Sequence, residues 1–127
     1  MSKLFSMMNN EQAESYNGGG LLFESTIDFD INMYSRNFRN ERGEKIEIDT
    51  NTHAEGAINN ANKNYTITLE RRQFGFWLEE QSRVTAIDGQ ANITFSGLDN
   101  NSPYRLRFSD KGFADFKKIV GSIAVYD

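Results

Sequence analysis

Phe23-Glu24-Ser25-Thr26-Ile27-Asp28-Phe29-Asp30-Ile31-Asn32-Met33 alternates with a period of two. Phe23, Ser25, Ile27, Phe29, Ile31 and Met33 point one way, and Glu24, Thr26, Asp28, Asp30 and Asn32 point the other. That period belongs to a strand with one buried and one solvated face, because successive side chains leave a pleated backbone on opposite sides. The run 21–34 exceeds the usual strand length of about 5–6 residues, so a bend or bulge within it is expected.

The same signature recurs downstream. After a polar loop at 35–44, Ile46 and Ile48 alternate with Glu47 and Asp49 in a short strand. Residues 50–64, rich in Asn, Thr and Ala, read as a weak strand and then a loop. Tyr65, Ile67 and Leu69 alternate with Thr66, Thr68 and Glu70. Past Arg71-Arg72, the spacing predicts Phe74, Phe76 and Leu78 on the core side and Trp77 on the outer face. Val84-Thr85-Ala86-Ile87, then Asp88-Gly89, then 90–95 read as a hairpin, since Asp-Gly tolerates the positive φ values of a two-residue type I′ turn. Beyond a turn at 97–103, Tyr104, Leu106 and Phe108 face inward and Arg105 and Arg107 outward. Residues 109–118 have room for a helical turn around Phe113 and Phe116, and 119–126 form a last strand. About seven to eight short strands with regular turns predict an all-β fold, an antiparallel β-sandwich, as one domain over 21–127.

Composition narrows the chemistry. A chain of 127 residues can bury a single core. With no cysteine, disulfides, thiolate metal sites and a cysteine nucleophile are excluded. The net charge of −4 gives no global argument for nucleic acid. No run approaches the roughly 20 apolar residues of a transmembrane span. Polar residues also interrupt the N-terminal apolar run that a secretory signal peptide requires.

Candidate sites are few. His53 is the one histidine, read as an exposed loop residue, and it cannot build a multi-histidine metal site. Glu79 and Glu80 are adjacent, so on a strand they point to opposite faces and do not form an acid/base pair. No serine lies in a G-x-S-x-G elbow. Asp28-x-Asp30-x-Asn32 opens like a calcium loop, but Met33 and Arg39 stand where an EF-hand needs glycine and a bidentate acid. The reading is therefore a protein that is not an enzyme and needs no cofactor or metal. Trp77, on an outer face, could stack on a sugar or enter a partner's pocket, and Arg105 and Arg107 share one strand face. These three form the possible binding surface.

Ahead of the first strand, residues 1–17 carry apolar positions at helical spacing, expected to be disordered or helical only when docked. Gly18-Gly19-Gly20 then marks a joint, because consecutive glycines suit neither helix nor strand. Residues 1–20 thus form a leader or flexible tail.

Two resemblances attach to these residues. Residues 1–19 resemble the double-glycine leader of bacteriocins, peptide pheromones and other small exported bacterial proteins. The resemblance implies cleavage after Gly18-Gly19 by a peptidase-containing ABC transporter. It also implies that Phe5, Met8, Ala13 and Tyr16 guide recognition of the leader. Gln12 stands where the family usually has an acid, with Glu11 beside it. The stretch Phe95-Ser96-Gly97-Leu98 through Tyr104-Arg105-Leu106-Arg107-Phe108 resembles the tyrosine-corner turn of Ig-like and prealbumin-like β-sandwiches. That resemblance implies a structural tyrosine whose hydroxyl bonds the backbone of the turn.

Two function classes follow. In one, the protein is exported after leader cleavage and acts outside the cell as a bacteriocin-like or cell-surface or host interaction factor. In the other, it is an uncleaved cytoplasmic or phage-encoded binding or inhibitor protein that uses an outer β-face. A carbohydrate-binding surface centred on Trp77 fits either. The target, protein or carbohydrate, is left open by the sequence.

Overall fold

The alternating stretch at 21–34 serves two sheets. The computed structural model describes residues 20–41, 44–56, 63–110 and 117–127. Among them the order of elements is β1 (Leu21–Phe29), β2 (Asn32–Tyr34), β3 (Lys45–Gly56), β4 (Asn64–Gln73), β5 (Phe76–Ala86), β6 (Gly89–Ser96), β7 (Tyr104–Ser109) and β8 (Lys117–Tyr126). The first sheet runs β1-β8-β3-β6 and the second β2-β7-β4-β5, antiparallel throughout. The described residues form an eight-stranded β-sandwich. Residues 1–19, which carry Phe5, Met8, Ala13, Tyr16, Gly18 and Gly19, lie outside the described residues, as do 111–116 with the suggested helical turn.

The break between β1 and β2 falls at Asp30-Ile31, where Asp30 Oδ1 accepts the Ile31 amide at 2.8 Å. A side chain that bonds its neighbour's backbone competes with the ladder, and the strand stops there. Ile31 consequently points to solvent rather than to the core. Phe23, Ile27 and Phe29 are buried, and Phe29 meets Tyr65 of the facing sheet edge-on at 5.9 Å.

β3 is longer than the hydrophobic pattern predicts, because threonines continue its inner face. Thr50 and Thr52 are buried. The Thr52 hydroxyl donates to the Ile87 carbonyl at 2.6 Å, so its burial is compensated. His53 lies in this strand, exposed, rather than in a loop.

The 84–95 segment is not a hairpin within one sheet. β5 pairs along its length with β4, and β6 pairs with β3 from Lys45↔Ser96 to Thr52↔Gly89. Asp88-Gly89 is a corner that carries the chain from one sheet to the other. Gly89 adopts φ 105°, and Asp88 Oδ1 accepts the Ala54 amide at 3.3 Å. Thr85, Ile87, Ile93 and Phe95 are buried on both sides of the corner. Alternation alone therefore fits a hairpin and a crossover equally.

The two-residue turn lies instead at Phe74-Gly75, between the paired Gln73 and Phe76. Both central residues have positive φ, 56° and 83°, the geometry of a type I′ turn. A smaller cluster, Ala124 and Tyr126 with Leu21 against it, lies on the first sheet's other face, away from the main core.

Candidate functional site

The outer face of the second sheet gathers aromatic rings, arginines and acids. β7 sends Tyr104, Leu106 and Phe108 into the core, so Arg105 and Arg107 point out. Cross-strand register then sets their neighbours. Glu70 stands opposite Arg105 on β4, Glu79 of β5 stands opposite Glu70, Trp77 stands opposite Arg72, and Tyr34 of β2 stands opposite Arg107. Residues directly opposite in an antiparallel pair share a face. All of these side chains therefore share the outer face.

Arg105 is held on three sides. Its guanidinium carbon lies 4.0 Å from the centre of the Tyr34 ring and 4.5 Å from that of the Trp77 ring. Its Nε donates to Glu70 Oε1 at 2.7 Å. The faces of aromatic rings are electron-rich and attract a cation, more strongly where water is excluded. Nη1 and Nη2 of Arg105 have no hydrogen-bond partner among the described residues.

Glu70 is the anchor beneath. Its residue is 4% exposed. A carboxylate so desolvated is tolerable only when paired, and Arg107 Nη1 meets Glu70 Oε2 at 3.1 Å. Arg107 also reaches Glu79 through Nη2 at 3.5 Å, while its Nε is buried without a partner among the described residues. Ser82 donates to Glu79 Oε2 at 3.3 Å and shares a hydrogen bond with Thr68 at 3.2 Å. Three guanidinium groups, on Arg72, Arg105 and Arg107, face two carboxylates, on Glu70 and Glu79. The patch is thus locally cationic on a chain whose net charge is −4.

The structure brings Trp77, Arg105 and Arg107 together. The indole of Trp77 is not a bare platform, however. Arg105 covers it at 4.5 Å, and Arg72 lies 5.9 Å from its ring centre. Tyr34, at 49% exposed, is the more open ring. The sequence reading missed Tyr34, Glu70 and Glu79. Glu70 was visible as an acid alternating outward beside Arg71-Arg72, but its pairing with β7 is a long-range fact that no local pattern encodes.

Phe74, Phe76 and Leu78 do not face the core. They are 87%, 70% and 43% exposed. Phe74 occupies the turn itself, and Phe76 and Leu78 stand opposite Gln73 and Arg71 at the end of the edge strand β5, on a side of the sheet left uncovered. A bulge displaces Glu80 between Glu79 and Gln81 and shifts the alternation of β5 by one residue. At the adjoining turn, the buried Tyr104 hydroxyl accepts the Asp99 amide at 2.7 Å. Among the described residues no group of three His, Asp or Glu side chains is placed to hold a metal ion, and Asp28 instead meets Lys118 Nζ at 3.0 Å.

No protein-family model matches this chain, and no curated protein matches it. Among solved structures, the chain is similar to the carbohydrate-binding module TmCBM61, determined in complex with beta-1,4-galactotriose. The two are 12% identical with a TM-score of 0.38, over 79% of this chain and 67% of that one.

Proposed function

We propose that the protein is a non-enzymatic binding protein that grips a carboxylate-bearing sugar on the outer face of its second sheet. The observation that carries this reading is the seat of Arg105 between Tyr34 and Trp77. Its Nε is spent on Glu70, and two stacked rings hold the guanidinium plane, so little side-chain entropy is lost when a ligand arrives. The unpaired Nη donors match the two oxygens of a carboxylate. The half-exposed Tyr34 ring offers an apolar face beside them for the sugar body. A neutral sugar stacked on Trp77 would instead have to displace a guanidinium.

Titration calorimetry with polygalacturonate and with neutral dextran tests this. Binding of the first alone, abolished by Arg105→Ala and weakened by Arg105→Lys, is the expected result. Equal binding of dextran returns the site to a neutral-sugar platform, and binding of neither rejects the sugar.

A second reading concerns export. We propose that residues 1–19 act as a double-glycine leader and that the product acts extracellularly, as a bacteriocin-like or surface factor. What favours it is the hold on the first residue that the cut would leave. Gly20 is bonded through both its amide and its carbonyl to Asp127, so the product would begin on a residue fastened to the sheet. Intact mass of the protein in culture supernatant tests it. A species beginning at Gly20 is expected, and full-length protein confined to the cytoplasm overturns the reading.

A further inference from the structure

We propose that the Asp127 side chain is a receptor for a newly made chain terminus, the α-ammonium that Gly20 acquires when the Gly19–Gly20 bond is cut. This rests on the export reading and adds what the cut does to the folded domain. The Gly20 amide donates to Asp127 Oδ1 at 3.2 Å in a partly buried position. The Asp127 amide donates back to the Gly20 carbonyl at 3.0 Å. The other carboxylate oxygen, Oδ2, accepts the Glu41 amide at 2.9 Å. One carboxylate thus joins the start of β1, the end of β8 and the segment after β2.

Among the described residues no lysine or arginine pairs with this carboxylate. Before the cut, Gly20 brings it only a neutral amide. Hydrolysis breaks the C–N bond of Gly19–Gly20, places the water oxygen on the Gly19 carbonyl carbon and leaves the Gly20 nitrogen to take up protons as an ammonium. The Gly20 carbonyl bond and the Leu21↔Tyr126 pairing hold that nitrogen where the amide stood. A hydrogen bond charged only on its acceptor side then becomes an ion pair charged on both sides, which adds Coulomb attraction to the hydrogen bond. The precursor is accordingly the looser form, suited to unfolding during export, and cleavage fastens three segments at once.

The test uses the full chain with residues 14–19 replaced by the recognition sequence of a site-specific endoprotease whose product begins at Gly20. A companion protein carries the sequence at 13–18, so that its product begins at Gly19 and the ammonium sits one residue away. Thermal melts are recorded before and after cutting. The expected result is a rise in Tm of about 3 °C on cutting the first protein, no comparable rise for the companion, and loss of the rise in Asp127→Asn. Because each variant is compared with its own uncut form, a lower starting Tm in Asp127→Asn does not blur the outcome. Equal rises in both proteins, or a rise that survives Asp127→Asn, overturn the proposal. A supernatant species that begins elsewhere overturns the export reading alone, since the melting difference is measured without it.

Discussion

The guanidinium carbon of Arg105 lies 4.5 Å from the centre of the Trp77 ring, and Trp77 is the only tryptophan of the chain. Its fluorescence therefore reports directly on the clamp. Arg105→Ala should shift the emission maximum to the red and change its intensity, because the ring exchanges a cation for water. Arg107→Ala, which leaves the stack in place, should change it far less. Identical spectra for wild type and Arg105→Ala would show that the stack does not persist in solution.

Glu70 lies beneath two arginines with both oxygens engaged. Replacing it by alanine leaves those guanidinium groups close together and partly buried without their counter-ion. Breaking a buried pair from one side typically costs about 3–5 kcal/mol, and both arginines retain some access to water. A loss of roughly 3 kcal/mol in urea unfolding is expected for Glu70→Ala. Glu70→Gln keeps an acceptor and should lose less. A change within about 0.5 kcal/mol for Glu70→Ala would mark the network as an ordinary surface one.

Much of this architecture was legible in the sequence, and the misses have common physical causes. Strands were visible wherever one face was apolar, as in Tyr65-Ile67-Leu69 and Tyr104-Leu106-Phe108. The second half of β3 was under-read because its buried positions are threonines, Thr50 and Thr52. Asp88-Gly89 was read as a hairpin because a positive φ at glycine serves a corner between sheets as well as a turn within one. Phe74, Phe76 and Leu78 were placed inward because alternation assumes a cover on one side, and the end of β5 has none. Trp77, Arg105 and Arg107 were found as separate outward residues. Their meeting with Tyr34 and Glu70 depends on strand order, which periodicity does not contain.

Phe74 holds φ 56° at the turn while 87% exposed. A side chain with a Cβ pays about 1–2 kcal/mol in the left-handed region, and an exposed ring recovers little of that by packing. Asparagine tolerates this conformation better. Phe74→Asn should therefore raise stability by about 0.5–1 kcal/mol in urea unfolding. A loss would show that the ring makes contacts in solution that offset its backbone cost.

Gly121 presents the opposite case. It has φ 151°, and a Cβ there would run into the Asn51 carbonyl oxygen and come within 2.7 Å of Thr52 Cα. Both obstacles are backbone of the neighbouring strand β3, which cannot swing aside. Gly121→Ala has to push β8 and β3 apart in the middle of the first sheet, at a cost above about 3 kcal/mol. A soluble variant melting within a few degrees of wild type would contradict the close approach.

Asp49, on the outer face of the first sheet, tests the electrostatics through pH. Burial raises its pKa above the ordinary carboxylate value, the Asn92 hydrogen bond acts in the lowering direction, and neighbouring Glu47 raises it further. The folded state then holds this proton more tightly than the unfolded state. Wild-type stability from this group is accordingly greatest at low pH and falls as pH rises through the carboxylate range. Asp49→Asn removes the ionisation and keeps an oxygen to accept from Asn92 Nδ2, now 2.6 Å from Asp49 Oδ1. The variant should be the more stable protein at pH 7, by less than about 1 kcal/mol since the site is half open to screening water. It should match wild type near pH 3, where the wild-type carboxyl is protonated in both states. Taking the difference between the two proteins at each pH cancels the other carboxylates. A variant less stable at pH 7, or an advantage that persists unchanged at pH 3, would show that the Asp49 charge is not what opposes folding there.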